Sequence, residues 1–164
     1  PTTSTSVTRP RDNYLNGGDA ALIGATEGVL YFEGAALADT QNGRAIALSA
    51  NNSAANRVVL YYNFGSNQIK ATVQGSGVSN ILTHVISDIT VFNKMALKYK
   101  SGDIALWVNG TEVVTSTNTF TFNATLNELA FDQGNGSQHM DGFIKQVTVF
   151  DEVLSDAELA ALTS

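Results

Sequence analysis

The chain has 164 residues, 43% hydrophobic and 15% charged, with a formal net charge of -6. That length supports one domain with a real core and not two independent ones. The acidic balance, with nine basic residues never gathered into a run, argues against a nucleic-acid partner. Lacking cysteine, the chain can form no disulfide, thiolate metal site or cysteine nucleophile, and no apolar run approaches the roughly 20 residues of a membrane helix.

In chain order, residues 1–13 are rich in Thr and Ser, with Arg9 and Arg11, and carry no apolar core of a signal peptide. They read as a linker or an edge arm in front of a domain spanning 14–164, and a start at Pro1 suggests a piece of a longer protein. From there, short alternating runs of Val, Ile, Thr and aromatics, separated by Asn, Gly, Ser and Asp, predict ten strands. They fall near 28–37, 43–50, 56–63, 68–74, 80–86, 90–99, 103–109, 111–117, 126–131 and 142–150. Asn109-Gly110 has the residues that a tight type I′ hairpin demands, and Ser101-Gly102 joins the preceding pair into a three-stranded meander. The expected architecture is all-β: a two-sheet antiparallel jelly-roll sandwich with one short C-terminal helix.

That helix is written into "SDAELAAL". Ser155 as N-cap and Glu158 three residues later form a capping box, and Leu154 with Leu159 has the spacing of a hydrophobic staple. The four acids between Asp151 and Glu158 are therefore read as structure and not as a catalytic pair. Leu159 and Leu162 share one side, expected to lie against a sheet edge.

Three stretches together resemble laminin G-like domains of the concanavalin A-like lectin/glucanase group: "TEGVLYFEGAAL", "KMALKYKSGDIALWVNGTEVV" and "MDGFIKQVTVFDEVLSDAELAAL". The last carries the closing pattern in Gly142, Ile144, Val147, Val149, Phe150, Leu154, Ser155, Asp156, Glu158 and Leu159. With "TRPRDNYL" leading in and "SDAELAALTS" at the close, the variant is similar to those of bacteriophage tail fibres, tail spikes and other virion proteins. The resemblance implies a non-catalytic carbohydrate- or receptor-binding domain of a phage tail or other virion adhesion protein, located on the virion or otherwise extracellular. Its partners would be a host cell-surface glycan or receptor and other virion proteins, with a homo-oligomer such as a trimer. The alternative is a decoration domain making protein contacts. Catalytic glucanases of the group carry a Glu-x-Asp-x-x-Glu strand; here "LYFEGAAL" has only Glu33 and "DIALWVNG" only Asp103, so no enzyme is expected. No cofactor is required; laminin G-like domains often bind calcium at loop oxygens, no ligand set here is convincing, and calcium stays open.

Candidate ligand contacts come from three places. Alternation puts Ile104, Leu106 and Val108 on one face and Trp107 on the other, where an outward indole could stack on a sugar ring or else cover the sheet. The loop "FDQGNGSQHMDG" offers Asp132, Gln133, Asn135, Gln138 and His139, groups suited to vicinal hydroxyls or a hard cation. The hairpin around Asn51 and Asn52 adds Arg57 and Tyr62 as rim residues. His139 has no second His nearby for a zinc site, and His84 reads as a strand residue without a role.

Overall fold

The computed structural model describes residues 19–39, 44–63 and 67–164. The predicted arm at 1–13 and the start of the predicted domain lie outside them.

The described residues form ten strands: β1 (Glu27–Ala36), β2 (Arg44–Ala50), β3 (Ser53–Asn63), β4 (Gln68–Gly75), β5 (Val78–Val85), β6 (Asn93–Lys100), β7 (Ile104–Val108), β8 (Thr111–Ser116), β9 (Glu128–Ala130) and β10 (Gly142–Phe150). They make two five-stranded antiparallel sheets, ordered β10-β1-β6-β7-β8 and β5-β4-β3-β2-β9. Alternating residues of both fill the space between them: Leu30, Phe32, Leu97 and Leu106 from the first, Ile46, Leu48, Leu60, Ile69 and Val73 from the second. This is the jelly-roll sandwich expected.

The turns obey local chemistry. Asn109 and Gly110 have φ of 47° and 83°, Asn51 and Asn52 of 53° and 54°, and Ser76 and Gly77 of 49° and 77°. These are the paired positive values of the twist-matched hairpin turn. The sixth strand begins three residues later than predicted because Asp88 draws the chain into a turn, its Oδ1 accepting from the Thr90 N–H at 2.7 Å and hydroxyl at 2.6 Å.

Helix α1 (Asp156–Thr163) carries the predicted capping box: the Ser155 side chain accepts from the Glu158 N–H, and Glu158 Oε2 accepts from the Ser155 N–H at 2.8 Å. Leu154 packs on the same cluster as Leu159. The helix does not take the expected place at a sheet edge. It lies across the outer face of the first sheet, where Leu159 packs with Val29, Tyr31, Ala96, Ala105 and Trp107. The Gly110 N–H donates to Thr163 Oγ1 at 3.1 Å, and Lys94 Nζ donates to the Ser164 carbonyl. An apolar stripe on β1, β6 and β7 offers a helix more buried area than any edge could.

The hydrogen bonds from Ser155 hold the Glu158 carboxyl below its ordinary range. A lowered folded-state pKa contributes stability that is complete above the unfolded value of 4.5 and lost as pH falls through the folded one. Glu158→Gln is therefore expected to lower the melting temperature near neutrality and to converge on wild type in acid, flattening the acid limb of a thermal-stability profile. An unaltered acid limb would remove the cap from the account.

Candidate functional site

The helix leaves the outer face of the second sheet as the one to examine. Cross-strand register arranges it in rows: Thr83, Lys70, Tyr61 and Ala45; Ile81, Thr72, Val59, Ala47 and Ala130; Ser79, Gln74, Arg57, Ser49 and Glu128. Ala45, Ala47 and Val59 form a small buried cluster with Tyr61 packed against it. Small side chains make a low floor, over which the loop 131–141 can fold.

Gly134 sits on that floor with φ of 73°, so close that a Cβ there would meet Ser49 Cβ at 2.7 Å and Ala47 Cβ at 3.2 Å. The loop shapes itself around Asp132. Its Oδ1 accepts from the N–H groups of Gly134 at 2.5 Å and Asn135 at 3.2 Å, and its Oδ2 lies 3.9 Å from His139 Nδ1. Asn135 Oδ1 accepts from the Ser137 hydroxyl at 2.6 Å, and Gln133 Nε2 donates to Gln138 Oε1 at 2.6 Å. Two further bonds tie the loop to the second sheet: Ala45 N–H to the Gln138 carbonyl at 3.2 Å, and Arg57 Nη1 to the Gln133 carbonyl at 2.8 Å.

Arg57 is the hinge of the arrangement. Its Nε donates to Gln74 Oε1 at 3.3 Å, so the guanidinium is tied to both sheet and loop. Burial pulls its pKa below the ordinary value, opposed by Tyr61, and burial pushes the Tyr61 phenol up, opposed by Thr72 and Arg57. At neutral pH this leaves a charged donor fork beside an un-ionised aromatic hydroxyl. The surface offers hydrogen-bond donors, amides and an aromatic side chain.

Set against the predicted residues, the structure gathers Arg57, Gln133, Asn135, Gln138 and His139 around one loop and corrects three others. Asp132 belongs to the loop but is only 2% exposed, its carboxylate turned to its own backbone. Tyr62 points into the core, 1% exposed, with its hydroxyl donating to the Gly34 carbonyl at 2.7 Å. Trp107 does leave the inner face, as alternation requires, but α1 covers it and it is 7% exposed, closing it as a stacking platform. The residue missed is Tyr61. Period two from Arg57 passes through Val59 to Tyr61 and excludes Tyr62, so the signal was present in the parity.

The remaining candidates sit elsewhere. Glu33 pairs with Lys145 at 2.9 Å and Asp103 with Lys98 at 2.9 Å, both on the first sheet. Among the described residues no three His, Asp or Glu side chains gather as a metal site. A cleft of about 260 Å³ opens at one end of the sandwich between Thr26, Ser101 and Phe120–Phe122, and none of the predicted contacts lines it.

Two antiparallel five-stranded sheets, a helix closing one outer face and a polar loop folded on the other define a lectin-type jelly roll. The chain belongs to the laminin G family described as the Concanavalin A-like lectin/glucanases superfamily, which matches residues 35–160. No curated protein sequence matches it. Among solved structures it is similar to the CBM40 of the Ruminococcus gnavus IT-sialidase, with a TM-score of 0.70, 18% identity, and 88% of this chain and 86% of that one covered. Domain 4 of the extracellular arabinanase AbnA from Geobacillus stearothermophilus, solved with arabinotriose, superposes with a TM-score of 0.68 at 12% identity, covering 90% and 70%. The SAP-like pentraxin of Limulus polyphemus gives 0.66 at 12% identity, covering 87% and 72%. Identities this low establish a shared fold.

Proposed function

We propose that this domain is a non-catalytic glycan-binding module, and that the outer face of the second sheet around Arg57, Tyr61 and the loop 131–141 is its contact surface. The observation that carries the reading is the held guanidinium: Arg57, fixed by Gln74 and the Gln133 carbonyl, shares an outer sheet face with Tyr61 at the edge of the most polar loop in the chain. A planar donor fork and an aromatic face fixed before binding are what a sugar's hydroxyls and C–H face require, and prior fixing lowers the ordering cost. Support from similar folds comes from the Ruminococcus gnavus CBM40, solved bound to α2,3-sialyllactose, and the arabinanase domain solved with arabinotriose. The setting we infer is a virion: a phage tail or other adhesion protein outside the cell, engaging a host-surface glycan alongside other virion proteins. The resemblance of the chain's two ends to such proteins supports it.

A glycan array of host-surface polysaccharides is the direct test, with wild type beside Arg57→Ala and His139→Ala. Arg57→Ala is expected to weaken binding by about tenfold or more, the scale of one lost charged hydrogen bond, with the melting temperature nearly kept. Wild type binding to no glycan, while retaining virion proteins in a pull-down, would replace this reading with the decoration domain. Phe143 and Ile144, 56% and 42% exposed at the start of β10, favour that second reading.

A further inference from the structure

The four sheet edges are not treated alike. β9 is three residues long, β10 carries Lys145 opposite an irregularity at Glu33/Gly34, and β8 carries Glu112 opposite one at Leu106/Trp107. Each device blunts an edge against pairing with another chain. β5 has none of them: Val78–Val85 contains no Lys, Arg, Asp, Glu or Pro, its register against β4 is unbroken, and Val78, Ile81 and Val85 are 45%, 60% and 62% exposed.

The register also says which backbone groups face outward. The Ile86 N–H donates to the Asn67 carbonyl at 2.8 Å, and the Ser76-Gly77 hairpin closes on the pair Gly75–Val78. Hydrogen-bonded pairs alternate along an antiparallel ladder, so Val78, Asn80, Leu82 and His84 spend their N–H and C=O groups on β4. Ser79, Ile81, Thr83 and Val85 turn theirs to the free side, where nothing among the described residues pairs with them.

We propose that β5 is the interface with a second copy of this chain, paired antiparallel about a two-fold axis at Ile81. That centre sets Ile81 against its own counterpart and Ser79 against Thr83, apolar on apolar and hydroxyl on hydroxyl, so that the outward N–H and C=O groups of these three residues meet their counterparts, while Val85 falls opposite the Ser76-Gly77 turn. In a chain of net charge -6, this uncharged edge is also where two copies approach with least repulsion. The axis stands perpendicular to the sheet, so the outer faces of both copies look the same way. If the glycan reading holds, the pair is bivalent; the pairing itself does not rest on that reading.

Sedimentation equilibrium on the full chain is expected to show a monomer–dimer system, and Ile81→Lys to raise its dissociation constant by about tenfold or more while far-UV spectrum and melting temperature stay put. Ile81→Cys adds a lone cysteine to a chain that has none. Directly opposed Cα atoms about 5.5 Å apart should then let mild oxidation give a disulfide-linked dimer that Asp103→Cys does not. A monomer at the highest soluble concentration, a trimer, or a dimer indifferent to Ile81→Lys would overturn the proposal. Glycan binding that survives in the Ile81→Lys monomer leaves the site reading intact, so the two can fail separately.

Discussion

Trp107→Ala is expected to lower the free energy of unfolding by about 3–5 kcal/mol, the range for emptying a buried aromatic site. The indole lies between β1, β6 and β7 below and Leu159 above, with Phe150, Leu154 and Leu162 packed around the same cluster. An eight-residue helix is not stable by itself in water, so losing its platform should free α1 as well as open a cavity. A fall in the urea midpoint, with faster exchange of the Leu159–Thr163 amides, would record both effects. Trp107→Phe should cost far less, because the indole N–H has no hydrogen-bond partner among the described residues and its loss strands nothing. Below its melting transition, Trp107→Ala should bind glycan as wild type does. Loss of binding with an intact fold would return the tryptophan to the site.

Gly134→Ala is expected to act on the opposite face and in a different way. At φ of 73° an alanine pays about 1–2 kcal/mol for the left-handed conformation, and its Cβ would press on Ser49 and Ala47 at 2.7 and 3.2 Å, adding roughly 1–3 kcal/mol of overpacking. The loop can relieve both by lifting, which draws the Gln133 carbonyl away from Arg57. Glycan affinity should therefore fall about tenfold or more while the sandwich still melts cooperatively. Gly136→Ala is the matched control: its φ is 74°, but the nearest atom to its Cβ is Asn52 Nδ2 at 3.8 Å, so it carries the backbone strain without the collision. Equal behaviour of the two variants would mean that the contact with Ser49 does not set the loop.

Much of the fold was legible because its causes are local. Alternation in "NRVVLYYN" or "QIKATVQ" reports one buried face within a few residues, Asn109-Gly110 needs no knowledge of the rest of the chain to turn, and Ser155 finds Glu158 within one helical turn. The candidate site was legible only in part. The loop was visible from its composition, yet composition does not tell that Asp132 would be consumed by the N–H groups of Gly134 and Asn135. The neighbours of Arg57 on its own face are Val59 and Tyr61, two and four residues on, so strand parity alone places Tyr62 on the opposite face.

Trp107 is the different case. Period two correctly sends it to the outside of the first sheet, but whether that outside meets water depends on where a helix some fifty residues later comes to rest. A short-range pattern specifies which side of a strand a residue occupies; it carries no term for what arrives from elsewhere to cover that side. By itself the sequence determined the strands, their turns, the cap and the sandwich class, all held by interactions within a few residues or by the pairing of faces. Only the tertiary structure decided that α1 closes one outer face, that the loop 131–141 closes part of the other around Arg57, and that β5 has no partner on its outer side among the described residues. Those outcomes come from contacts between segments far apart in the chain, whose energies exist only once the segments meet.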